Sequence, residues 1–231
     1  MERKYLIKDG ETFSRILELL KSGSSEISAY RMREYGFKER EYRYFDNFDG
    51  SLAAQNLQAY IGPLELEGAS ASLRDRGDDK VLTVKCPTGV ADQRSEEQFT
   101  LPKSTDFYRF DPNGVASFWE PLQRVREKGG NLPLQEVVRL LVKSNRFDLY
   151  QDQQLRAEVA VDEVEGKVFW GVQRSFHELE IEVRGCGKAE DKENISNFFA
   201  DSYHDSLIKS SVPKWIKALR LIRGQEIVAD E

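Results

Sequence analysis

Apolar and polar residues alternate along much of the chain. In HELEIEV (177–183), Leu179, Ile181 and Val183 fall on one face of an extended segment, and Glu178, Glu180 and Glu182 fall on the other, because successive strand side chains point to opposite faces. LRAEVAVDEV (155–164) repeats the pattern, with Leu155, Ala157, Val159 and Val161 opposed to Arg156, Glu158 and Asp162. Similar reasoning predicts strands at 2–7, 41–46, 72–76, 80–85, 94–101, 146–151, 167–173 and 177–184. A hairpin is expected across Gly77-Asp78-Asp79, and a turn at Glu165-Gly166. Several strands on short connections argue for an antiparallel sheet or barrel.

Helical spacing interrupts this alternation. Phe13, Ile16, Leu17 and Leu20 recur at helical intervals and Gly23 ends the run. Leu134, Val137, Val138 and Leu141 repeat the spacing after Pro133, a residue suited to a first turn. Ile195, Phe198, Phe199, Tyr203 and Leu207 form a third stripe opened by Asp191, and Phe118 to Val125 reads as a fourth helix. All four stripes are expected to pack on the sheet.

Composition narrows the function. The 231 residues are 39% hydrophobic and 32% charged, with net charge −6. That suits a soluble globular protein and gives no bulk field for nucleic acid or an acidic membrane. No repeat or linker divides the chain, so one domain is expected over 1–222, with a polar tail at 223–231. Cys86 and Cys186 form no CxxC pair, and no apolar run has signal-peptide or membrane-spanning length. A cytoplasmic protein with reduced thiols is expected. GxxxxGK[ST] and GxSxG are absent, and His177 and His204 make no two-histidine metal motif. P-loop, serine-hydrolase and zinc-hydrolase readings therefore lack their parts.

The polar faces carry the remaining signal. Glu2 and Lys4 share a face of the first strand, as do Thr83 and Lys85, Arg74 and Arg76, and Arg94, Glu96 and Gln98. A row of like-charged carboxylates is less costly beneath a cation, and hard divalent ions such as Mg2+ or Mn2+ take oxygen ligands. If the sheet closes with this face inward, it can hold a metal-bound polyphosphate. If it stays open, the same pattern is a wetted surface.

These residues resemble the CYTH superfamily, or triphosphate tunnel metalloenzymes. Glu2-Arg3-Lys4 matches the last three positions of its ExExK strand, Tyr44-Phe45-Asp46 its YFD motif, and Leu82 to Lys85 its LTxK strand with Arg74 upstream. Arg94 with Glu96, Arg146, VAVDEVEG (159–166), LEIEV and VPKWIKAL follow in the family's order. The resemblance implies an α+β, mainly β fold: a closed antiparallel eight-stranded tunnel with helices packed outside. It implies Mg2+ or Mn2+ on Glu2, Glu180 and Glu182, with Glu96 or Asp162 assisting. It implies a small-molecule triphosphate gripped by Lys4, Arg74, Lys85, Arg94, Arg146 and Lys214. No residue stands out as the general base, and the oligomeric state is left open.

The chain also departs from the family pattern. The first glutamate of ExExK would precede Met1, Ser72 stands where the first of two paired arginines is expected, and Pro213 replaces a serine. Lys143 is one position off the KxR spacing, and a longer stretch, LAAQNLQAYIGPLELEGAS, links YFD to the next strand. Three functions follow from the resemblance: a metal-dependent triphosphatase, a class IV-type adenylyl cyclase, or a non-catalytic polyphosphate-binding tunnel with an eroded site.

Overall fold

The alternating segments pair edge to edge. The computed structural model describes residues 2–23, 27, 29–47, 70–75, 79–87, 94–116, 119–120, 122–123, 127, 133–168, 171–210 and 212–227. Its strands are β1 (Glu2–Ile7), β2 (Arg31–Asn47), β3 (Ser70–Asp75), β4 (Lys80–Pro87), β5 (Arg94–Leu101), β6 (Leu134–Gln151), β7 (Gln154–Lys167), β8 (Gln173–Val183) and β9 (Leu207–Lys209). The helices are α1 (Gly10–Ser22), α2 (Pro112–Ala116), α3 (Ala189–Tyr203) and α4 (Lys214–Ile222). The ladders are antiparallel and run in the order β5-β4-β3-β2-β6-β7-β8-β1-β9. The described residues thus form nine strands rather than the expected eight, since β9 adds to β1. No ladder among them joins β5 to β9.

Two apolar layers sandwich the β1/β6/β7/β8 part of the sheet. On one face, Tyr5, Ile7, Phe147, Leu149, Val159, Val161, Leu179 and Ile181 pack under Ile16 and Leu20 of α1 and Ile195 and Phe199 of α3. Asp9 fixes the start of α1, its carboxylate accepting the Thr12 backbone N–H at 2.7 Å, and Gly23 ends the helix at φ 59°. On the other face, Leu6, Val138, Leu140, Val142, Val164 and Phe176 pack under Trp215, Ile216, Ala218 and Leu219 of α4. A third cluster, including Leu73, Leu82, Phe107 and Leu122, covers the β2–β5 part.

The sequence reading needs three corrections. Residues 134–141, read as a helix, begin the 18-residue strand β6. Val137 and Val138 both join the cluster under α4 because a bulge skips Val137 in the pairing with β2, and this doubled apolar position imitates helical spacing. Glu165-Gly166 is not a turn and 167–173 is not a strand: β7 runs through to Lys167, and the bend follows, with the Gly171 N–H donating to the Val168 carbonyl at 3.0 Å. Leu207, placed on a helical stripe, begins β9 instead. The helix expected at Phe118–Val125 is only partly within the described residues, and the Gly77-Asp78 turn and residues 52–69 lie outside them.

Gly166 is where α4 meets the sheet. A Cβ there would lie 2.6 Å from the Ala218 Cβ, closer than two carbons can approach. The misread turn glycine is thus a close-approach glycine. Gly166→Ala is expected to lower stability in urea unfolding by about 1–3 kcal/mol. Adding Ala218→Gly should recover part of that loss, although glycine inside a helix itself costs about 1 kcal/mol.

Candidate functional site

Strand register decides which charges meet. Across β1, β8 and β7, Glu2 faces Glu182 and Glu158; Lys4 faces Glu180 and Ala160; Leu6 faces Glu178 and Asp162. The next ladder sets Arg146 beside Ala160 and Ser144 beside Asp162. All these positions share the face on which α4 packs. The apolar lower rows lie beneath the body of α4, and the charged rows lie beside its first turn.

Pro213 precedes α4 with φ −58° and ψ 149°, which places Lys214 and Lys217 one turn apart on one side of the helix. The Lys214 Nζ lies 2.5 Å from Glu180 Oε1, 2.7 Å from Glu178 Oε1 and 3.1 Å from Asp162 Oδ2. Lys217 Nζ donates to Glu178 Oε2, and both side chains are fully buried. Lys4 Nζ bridges Glu2 at 3.0 Å and Glu180 at 3.2 Å. Arg146 Nη1 donates to Glu158 Oε1 at 2.7 Å, and Arg184 pairs with Glu182 at 2.7 Å.

The electrostatics follow from burial opposed by close partners. Burial alone would raise Glu180, but the Lys214 and Lys4 ammoniums hold it well below the usual carboxylate range. Burial would depress Lys214, yet Glu178, Glu180 and Asp162 together lift it well above the ordinary lysine value. Lys4 is lifted likewise, mainly by Glu180 against its own burial. Burial prevails at Asp162, which is pushed up, and at Lys217, which is pushed down.

One oxygen each of Asp162, Glu178 and Glu180 lies within 4.8 Å of the others, a spacing that a single cation can span. Asp162 Oδ1 is buried and makes no hydrogen bond. The donors are all carboxylate oxygens, so the set fits a hard divalent cation by chemistry.

The residues nominated from sequence divide into two groups. Lys4, Arg146, Asp162, Glu180 and Lys214 converge, with Glu2 and Glu182 at the more open end, their side chains 42% and 40% exposed. Arg74, Lys85, Arg94 and Glu96 lie on β3, β4 and β5, at the other end of the strand order. Lys85 pairs in register with Glu96, and Arg94 with Pro87, but the side chains of Lys85 and Arg94 lie outside the described residues. Glu96 is exposed and accepts a hydrogen bond from Gln98 at 2.5 Å. Arg74 reaches toward the first group. Its guanidinium carbon lies 5.9 Å from the Tyr42 ring centroid, and Tyr42 stacks on Tyr44, which stacks on Trp215 of α4. Burial drives the Tyr44 hydroxyl up, while the charges of Lys214, Lys4 and Arg74 all reach it and pull the other way.

The sequence reading does not nominate Glu178, Lys217 and Glu158, which the structure brings into the charged cluster, nor Lys38 and Arg40. Glu178 was visible in the HELEIEV alternation, and the Lys214–Lys217 spacing was visible once residues 214–222 are read as a helix. Lys38 and Arg40 pair with Ser144 and Val142, so they share the α4 face. They fell before the strand start read at residue 41.

No family model matches the sequence, and no curated protein resembles it closely enough to count. Among solved structures, the chain is similar to a proposed adenylate cyclase from Bacillus halodurans, at 17% identity and TM-score 0.56, covering 94% of this chain and 95% of that one. It overlaps the Mimivirus capping-enzyme triphosphatase at 13% identity and TM-score 0.35, covering 86% and 88%. It also overlaps the Pct1 RNA triphosphatase of S. pombe at 10% identity and TM-score 0.31, covering 92% and 62%. Scores that low carry no argument. The first likeness shows a shared fold.

The buried Lys217–Glu178 pair generates a prediction. Removing one member of a buried ion pair strands the other, at a typical cost of about 3–5 kcal/mol. Glu178→Gln should fall at the low end of that range in urea unfolding. Adding Lys217→Met should cost less than the sum of the two single changes, the signature of direct coupling.

Proposed function

We propose that this chain is a metal-dependent hydrolase of a triphosphate, bound on the charged α4 face of its sheet. The observation that carries this reading is a pair of guanidinium groups with unpartnered buried nitrogens on the face that also holds the carboxylate cluster. Arg146 Nε, and Arg74 Nε and Nη2, are buried and make no hydrogen bond. Buried donors without partners are costly, and a polyanion would supply the missing acceptors. Arginine suits that task because its planar fork matches phosphate oxygens.

The roles divide by chemistry. Asp162, Glu178 and Glu180, with Glu2 and Glu182 at the open end, would hold Mg2+ or Mn2+. When bound, such an ion neutralises charge on non-bridging phosphate oxygens and polarises the anhydride. Arg146, Arg74 and Lys4, with Lys85 and Arg94 from the far strands, would hold the phosphate chain in line for attack by water. Glu158 keeps Arg146 aimed at the face, at a distance of 2.7 Å. Lys4 stays protonated at neutral pH because Glu180 and Glu2 outweigh its burial, so its charge is available to an anion throughout the physiological range. The phosphoanhydride is cleaved without a covalent enzyme intermediate.

Cyclisation of ATP is a second reading, favoured by the description of the Bacillus halodurans protein as a proposed adenylate cyclase. Products separate the two: orthophosphate and a diphosphate for hydrolysis, cyclic AMP and pyrophosphate for cyclisation. A panel of inorganic triphosphate, ATP and thiamine triphosphate with Mg2+ or Mn2+, beside a chelator control, is expected to release orthophosphate only when metal is present. Glu180→Gln should abolish that release while circular dichroism shows a folded protein. Metal-dependent binding with no turnover of any substrate would instead identify a non-catalytic polyphosphate-binding protein.

A further inference from the structure

The carboxylate nest that fits a metal ion already holds a cation. The Lys214 ammonium contacts all three members, at 2.5, 2.7 and 3.1 Å. A divalent ion centred on the same oxygens would need them at about 2.0–2.6 Å, so the two cannot share the position. We propose that the Lys214 ammonium and a divalent cation are alternative occupants of the Asp162–Glu178–Glu180 nest. Metal entry releases Lys214 from the carboxylates and frees its charge for the phosphate chain. The proposal rests on the metal-dependent reading above and specifies how that site is loaded.

Charge balance supports the exchange. Counting Lys4 and Glu2, which pair with each other beside Glu180, four carboxylates against Lys4, Lys214 and Lys217 leave the site one negative charge in excess. Replacing Lys214 with a dication cancels that excess. Adding the dication without losing Lys214 would overshoot to a buried positive charge, which is costly. The buried, unbonded Asp162 Oδ1 is a second indication, because the lysine satisfies only one of the two oxygens of that carboxylate.

The scaffold permits the movement. Lys214 is the first residue of α4, and its side chain is 15% exposed whereas that of Lys217 is 0% exposed. Its flexible four-carbon stem can swing out without moving the helix. The helix itself is pinned, by Ala218 against Gly166 and by Lys217 on Glu178. Lys217 is therefore the fixed counter-charge and Lys214 the exchangeable one.

Two measurements on the full chain test this, and neither reads catalysis. In Mn2+ titrations followed by electron paramagnetic resonance, Lys214→Met should bind Mn2+ at least about tenfold more tightly than the wild type, a difference of about 1.4 kcal/mol. Equal affinity overturns the proposal. If Lys214→Met does not fold, wild-type protein answers alone through lysine acylation read by mass spectrometry. Lys214 should be protected without metal and labelled at least about threefold faster with saturating Mn2+, as ammoniums released from buried ion pairs become solvent-accessible. Exposed Lys8 should label at a constant rate. Unchanged Lys214 labelling at saturating Mn2+ overturns the proposal. Exchange observed without turnover of any triphosphate would sink the hydrolase reading and leave this inference standing, whereas turnover with equal Mn2+ affinity would do the reverse.

Discussion

Like charges forced together by strand register are the constraint on which this structure depends. Glu178, Glu180 and Asp162 face one another because β7 and β8 are antiparallel neighbours and all three lie on the same side of the pleat. Three carboxylates within 4.8 Å of one another, two of them buried and the third half-buried, are untenable alone. The chain answers with ammoniums from a distant segment, Lys214 and Lys217 of α4. Charge compensation and core closure are thus the task of one helix. The same α4 that buries Trp215, Ile216 and Leu219 brings the counter-charges to the nest.

That arrangement breaks a local rule. A helix N-terminus carries partial positive charge and favours acids, with an effect of about 0.3–1 kcal/mol per charge. The first turn of α4 has no acid and begins with a lysine, with a second lysine one turn on. Only the carboxylates across the gap make this tenable. Places where local preference loses to a tertiary partner are where functional chemistry concentrates. On the opposite face α1 shows no such conflict. There α1 has an Asp cap, an acid in its first turn and a lysine in its last, each in its preferred place, and its apolar stripe packs on ordinary core.

The alternation of β7, β8 and β5 and the stripes of α1 and α3 are legible in the sequence, because each depends on residues two to four apart, whereas Lys4, Glu180, Asp162 and Arg146 are grouped by the family resemblance and not by any spacing. Errors arose where a residue answers to something distant. Gly166 reads locally as a turn, yet it serves the approach of Ala218, 52 positions along the chain. Residues 134–141 read as helix because a bulge at Val137 puts Val137 and Val138 into the same cluster, and only the pairing with β2 reveals a strand. Lys214 was assigned to phosphate from its motif position. Its resting partners are carboxylates, which become apparent only when α4 is laid across β7 and β8.

The two faces also explain why a row of glutamates can persist beside a well-packed core. Leu179 and Ile181 alternate with Glu178, Glu180 and Glu182 on a single strand, and the apolar set is fully buried beneath α3. That burial fixes the register of β8, since a one-residue slip would drive the glutamates into the apolar layer and the leucine and isoleucine into the charged one. The apolar face therefore sets the geometry of the charged face. Carboxylate spacing in the nest is held by hydrophobic packing on the other side of the sheet, at no cost to the chemistry of the nest. An ion entering the nest thus meets oxygens whose backbone positions are already fixed, and only the Lys214 stem has to move.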